Sequence, residues 1–304
     1  MSNKKRLLGI CGLALTGAAF LLCFRNLQNG GWLLGLLEQT LLKWEMPQTF
    51  GGFHLLWLGA CFVFAILFGI LGARRKTKHM DEITFLFGLV FLWLEGYKQL
   101  YSYFVMWEGR FDFAFFPFQF CSIPLYLCPL LPLIPDCRLK GMCYRFLAFF
   151  ETMGGCLVMG YPAFYEHASL CIHTMLWHTL MISLGVYLLF ANGWGQSIKR
   201  DVLPAVPVFL TSLGLATALN LLLTPLAKNS PNPLNLFYMS PYVPTTFLVV
   251  RDVQRAFGWL PSLLCYGLLF IFVGAGLVFL TVYLIRLVGK KLETRKKYEK
   301  QRKK

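Results

Sequence analysis

A chain of 304 residues that is 57% hydrophobic and 14% charged, with a mean hydropathy of +0.58, lies far from the roughly 25% charged residues of soluble domains, which excludes a soluble globular fold. The net charge of +15 does not point to a nucleic-acid partner, because ten of the 29 basic residues crowd into residues 286–304. A polybasic tail just past a membrane span fixes topology and attracts anionic lipid, at about 1 kcal/mol per residue near the surface.

A spanning helix needs roughly 20 mostly apolar residues, and eight stretches of the chain qualify. The first, near residues 7–24, follows the basic run MSNKKR. It exceeds the ~7–15-residue apolar region of a secretory signal, so it reads as a retained helix, with a cleaved signal as the competing reading. The others lie near residues 53–73, 83–106, 113–135, 144–165, 168–190, 202–226 and 259–287. With the N-terminus inside, 22 of the 29 Lys and Arg fall on the cytoplasmic side, as the positive-inside rule requires. The expected fold is an all-α polytopic membrane helix bundle of about eight transmembrane helices with both termini cytoplasmic. Residues 1–50 form an N-terminal extra helix and outer loop, 51–288 a seven-helix core, and 289–304 a polybasic cytoplasmic tail.

Ionisable side chains inside spans are costly in hydrocarbon and face cavities or one another. Glu95 and Lys98, three apart, share a helix face and read first as a structural ion pair, with a polar cavity wall as the alternative. Glu151 precedes Gly154 and Gly155, a pattern that reads as close helix packing. His173 and His178 are turned about 140° from each other on a helix, so they cannot share a metal, and His178 is the better candidate for an interior role. Ten cysteines without a CxxC pair, and without one in the outer segments, argue against a disulfide framework or a zinc site.

Cys121 sits between Pro117 and Pro124, each of which removes a helix hydrogen bond and bends the backbone. Taken alone a buried cysteine is usually packing, but a thiol with an imidazole beside it is a nucleophile with its base. The long outer segment 227–258 carries Asn232, Asn235, Tyr238 and several prolines, so turns rather than a helix order it. Its apolar middle either lies at the interface or re-enters as a lid.

The stretches GGFHLLWL, LEGYKQLYSYFVMWEGRFDFAFFPFQFCSIPLYL, LWHTLMISLGVYLLF and PLNLFYM resemble the YwaF-like integral membrane proteins, whose eukaryotic relatives include a transmembrane acyltransferase of ether phospholipids. The resemblance implies that Cys121 carries an acyl group as thioester and that His178 is the general base. Gln119 stands where that family usually has His; it, Glu95, Asn235 and Tyr238 are the expected substrate or oxyanion contacts. Membrane phospholipid is the implied substrate, no cofactor or metal is needed, and a bacterial plasma membrane is the implied location. The rival reading is a non-catalytic carrier or solute-binding protein whose route is lined by Glu95, Lys98, Gln119 and the histidines. An assembly or sensory subunit is a third. The sequence carries no sign of oligomeric state.

Overall fold

The computed structural model describes residues 3–302, with side chains described as far as Leu287; the side chains of the polybasic tail expected to meet anionic lipid lie outside that range. Among the described residues the elements are helices, with one isolated antiparallel bridge between Lys43 and His167. Six stretches are long and apolar enough to cross a membrane: Asn3–Gln28, Gly52–Met106, Arg138–Gly160, Ala168–Ala191, Ile198–Leu223 and Trp259–Leu287. The chain is a polytopic helical bundle.

The first stretch is α1 (Asn3–Gln28), followed by the short apolar α2 (Trp32–Gln39). The 55-residue second stretch would be about 80 Å long as one helix, far beyond a hydrocarbon core of about 30 Å. It folds back at Lys76, whose φ of 49° ends α3 (Gly52–Arg75) before α4 (Met80–Tyr101) begins.

The expected continuous helix over 113–135 does not form. Residues 113–122 make two short 3₁₀ turns, α5 covers only Ile123–Leu130, and a third turn follows at Leu131–Leu133. Prolines 117, 124, 129 and 132 explain this, since a proline is tolerated in the first turn of a helix but breaks its interior. The segment still crosses. The carbonyl of Phe115 accepts a bond of 2.6 Å from Gln99 Nε2, Pro129 lies against Gly88, and Lys140 pairs with Asp81 at 3.0 Å. It therefore descends α4 from residue 99 to residue 81, about 27 Å at 1.5 Å per residue. Gly88 permits that approach, because a Cβ there would lie 2.5 Å from Pro129 N.

The next crossing joins α6 (Arg138–Phe146) to α7 (Thr152–Gly160) through a π-helical turn, Leu147–Glu151. Then comes α8 (Ala168–Ala191), apolar all round and buried along most of its length, the signature of a central helix. Small residues let its neighbours close on it: a Cβ on Gly72 of α3 would lie 2.4 Å from Tyr187 O, and Gly155 of α7 abuts Ile182 and the His178 carbonyl. The last crossings are α9 (Val206–Leu223) and the run from α11 (Trp259–Leu268) into α12 (Ala275–Arg302). Between them α10 (Leu248–Phe257) exposes Leu248, Val249 and Phe257 on one amphipathic helix, a form suited to the membrane interface.

Contacts fix which ends lie together. Lys5 pairs with Glu82 at 2.7 Å, Asn192 donates to Met80 Sδ, and Arg286 Nε donates to Trp194 O at 2.9 Å. The start of α1 and the inner half of α12 thus share the end of the bundle where the basic residues gather, the end that the positive-inside rule assigns to the cytoplasm. A buried network seals it: Lys140 Nζ and the Tyr144 hydroxyl both donate to Asp81, at 3.0 and 2.6 Å.

Candidate functional site

Cys121 lies in the 3₁₀ turn Phe120–Ser122 at the head of α5, half-buried against the main core. Its carbonyl accepts from Trp177 Nε1 at 2.9 Å, which ties the turn to α8 one residue before His178. Trp177 is itself held between Phe91, at a ring-centroid distance of 4.7 Å, and His173, stacked at 5.5 Å. Cys121 also stands within electrostatic range of Lys98, Glu95 and Glu151.

His178 is buried, and its Nδ1 lies 2.7 Å from the Thr174 carbonyl. A carbonyl only accepts, so Nδ1 carries the hydrogen and the neutral ring keeps its lone pair on Nε2. That Nε2 is buried and has no hydrogen-bond partner among the described residues. The turn that carries Cys121 is thus tied to α8 at the residue before His178, and the thiol and the imidazole are not hydrogen-bonded to each other.

The stretch 234–239 of the outer segment is docked onto the core. Leu234, Leu236, Phe237 and Met239 are buried, and the Phe237 ring packs edge-on against Phe120 at 5.6 Å and stacks on Phe118 at 6.3 Å. Phe237 and Tyr238 both take a φ of 56°, a region that L side chains rarely occupy. Two amides hold this turn. Gln119 Nε2 donates to Asn235 O at 3.1 Å while its Oε1 accepts from Phe237 N at 2.9 Å. Asn220 of α9, 0% exposed, grips both main-chain groups of Leu236, at 3.0 and 2.8 Å. Such backbone strain costs about 1–3 kcal/mol per residue, and four bonds at about 0.5–1.5 kcal/mol each offset it.

Gln119, expected as an oxyanion donor, is thus a strut that spends its oxygen and one hydrogen on the loop. The Asn235 side chain likewise turns back on its own loop, accepting from Ser240 N at 2.9 Å. Tyr238 is 45% exposed, and its ring meets Phe247 edge-on. Glu95 pairs with Lys98 at 2.9 Å and accepts from Gln99 at 2.7 Å, the structural ion pair that its spacing suggested. His173 lines a separate cleft of about 380 Å³ between α2, α4 and α8, together with Tyr97, Ile172 and Leu176. Two residues with clear structural roles here, Trp177 and Asn220, had no part in the expected site. An asparagine in the apolar run LATALNLLL is the signal for the second, since buried amides in spans are hydrogen-bonded to something.

Glu151 closes the π turn of its crossing at 1% exposure, and neither carboxyl oxygen has a hydrogen-bond partner among the described residues. Such π-bulges occur frequently at functional sites.

A bundle of apolar helices with a broken crossing, a half-buried thiol and a buried imidazole and carboxyl defines an integral, multi-pass membrane protein with a polar interior. Residues 49–282 match the TMEM164 family, and the chain belongs to that family. No curated protein and no solved structure matches it.

Proposed function

We propose that the protein is a membrane-embedded lipid acyltransferase or acyl hydrolase that works through a thioester on Cys121. The observation that carries this reading is the tautomer of His178: Thr174 fixes the hydrogen on Nδ1 and leaves a buried, unspent lone pair on Nε2, the state a general base requires. The resemblance of the Pro117–Gln119–Cys121 stretch and of His178 to the acyltransferase branch supports the same assignment.

In the first step Nε2 takes the Cys121 proton and the sulfur attacks an ester carbonyl of a phospholipid. A C–S bond forms, the ester C–O bond breaks, and the lysolipid alkoxide leaves with the proton returned by the imidazolium. In the second step a lysolipid hydroxyl, or water, gives its proton to Nε2 and attacks the thioester, and the sulfur leaves to recover a proton from His178. The thiol and Nε2 come into contact when substrate fills the site, as catalytic contacts commonly tighten only in the complex.

The test uses purified protein and phospholipids with a labelled acyl chain. The expected result is a hydroxylamine-sensitive label on wild type that is absent from Cys121→Ala and lost or trapped in His178→Gln. Wild type that takes up no label from any of several phospholipid classes overturns the proposal and favours a carrier.

A further inference from the structure

We infer that Asn220 and Gln119 are positioning residues for the Cys121 site, pinning residues 235–239 as a left-handed cap across the cysteine-bearing turn, and that Tyr238 is the side chain this cap presents to the substrate. The activity part of this inference rests on the acyl-transfer reading; the conformational part does not.

Three observations converge on it. Gln119 is two residues from Cys121 and holds the loop at Asn235 O and Phe237 N, so the cap and the thiol share one short piece of backbone. Asn220 reaches from another helix and grips Leu236 by both its N–H and its C=O, a bidentate hold on the residue before the left-handed pair. Non-glycine residues in this conformation persist only where their surroundings over-determine them, and they cluster at ligand clamps. The Trp259 Nε1 bond to Met239 O, at 3.0 Å, closes the far end of the cap.

What the clamp fixes is the direction of two side chains. Phe237 turns inward onto Phe118 and Phe120. Tyr238 turns the other way, partly exposed, with no hydrogen bond to its hydroxyl among the described residues and within electrostatic range of Cys121. A phenol so placed offers an apolar face to an acyl chain and a donor to an ester oxygen.

The experiment combines hydrogen exchange with acyl transfer on Asn220→Leu, Asn220→Asp, Gln119→Glu and Tyr238→Phe. Asn220→Leu is expected to speed exchange in residues 234–241 while α8 keeps its protection, and to slow Cys121 acylation at least tenfold. Asn220→Asp retains the acceptor for Leu236 N and falls between Leu and wild type; Gln119→Glu retains the acceptor for Phe237 N and behaves likewise. Tyr238→Phe leaves exchange unchanged but alters KM or selectivity among acyl donors. Should Asn220→Leu fail to fold, Asn220→Asp and Gln119→Glu decide the matter. A loop that exchanges freely while acylation and the maleimide reactivity of Cys121, read by peptide mass, stay at wild-type values overturns the inference. If wild type is never acylated, the acyl-transfer reading fails by itself, and the clamp is then judged on exchange and maleimide reactivity alone.

Discussion

Trp177→Phe isolates the bond that ties the Cys121 turn to α8. Phenylalanine keeps a ring between Phe91 and His173 and removes the Nε1 donor 2.9 Å from the Cys121 carbonyl. Trp177 is 3% exposed, so water does not readily replace that donor. Losing a neutral hydrogen bond costs about 1 kcal/mol, and an orphaned buried carbonyl raises this to about 3 kcal/mol. Spent on the position of the turn, 1–3 kcal/mol slows acyl transfer by roughly five- to 150-fold at about 1.4 kcal/mol per tenfold. Single-turnover labelling of Cys121, with the melting temperature in detergent as control, separates the local effect from loss of the fold. Wild-type labelling by a variant that melts at the wild-type temperature would show that Trp177 does not place the turn.

Lys140→Met removes the ammonium that Asp81 meets at 3.0 Å while Tyr144 still donates to that carboxylate, and is expected to destabilise the bundle by about 1–3 kcal/mol. Asp81→Asn in the same chain should recover much of the loss, and equal melting of the single and double variants would refute a coupled pair. Gly88→Ala places a methyl 2.5 Å from Pro129 N, where the obstacle is backbone, and should cost about 1–3 kcal/mol by overpacking. Gly59→Ala meets nothing within 4 Å and should be neutral or raise the melting temperature, through the better helix propensity of alanine. Equal shifts for the two variants would mean that α4 and the broken crossing do not approach as closely as described.

The bundle was legible because run length and the distribution of Lys and Arg depend on local composition alone. The broken crossing was not, although Pro117 and Pro124 had marked a bend. Hydropathy sums side chains and is blind to the backbone, so a proline-rich apolar run scores like a helix. The pairing of Cys121 with His178 was what the resemblance implied. The bond that ties the Cys121 turn to α8, from Trp177 to the Cys121 carbonyl, joins residues 56 apart and leaves no periodic trace. Gln119 was recognised as important for the wrong job, because a side-chain amide near a thiol looks the same in sequence whether it faces a substrate or a loop.

The broken crossing also bears on which polar residues in the bilayer are available for chemistry. Backbone that leaves the helix at membrane depth frees carbonyls and N–H groups that lipid cannot satisfy. Here side chains satisfy them: Gln99 serves Phe115 O, the Tyr126 hydroxyl serves Pro117 O, Trp177 serves Cys121 O, and Gln119 and Asn220 serve the loop folded against it. Much of the intramembrane polarity that first suggests a site is thus committed to holding an irregular backbone in place. Subtracting it leaves a remainder that includes His178 Nε2 and the Glu151 carboxyl, each buried and without a hydrogen-bond partner among the described residues. Unsatisfied buried groups are expensive, and under the acyl-transfer reading proposed above these two are the ones that substrate would engage. The polarity of this interior is therefore divided between groups that build the broken crossing and groups left without a hydrogen-bond partner among the described residues.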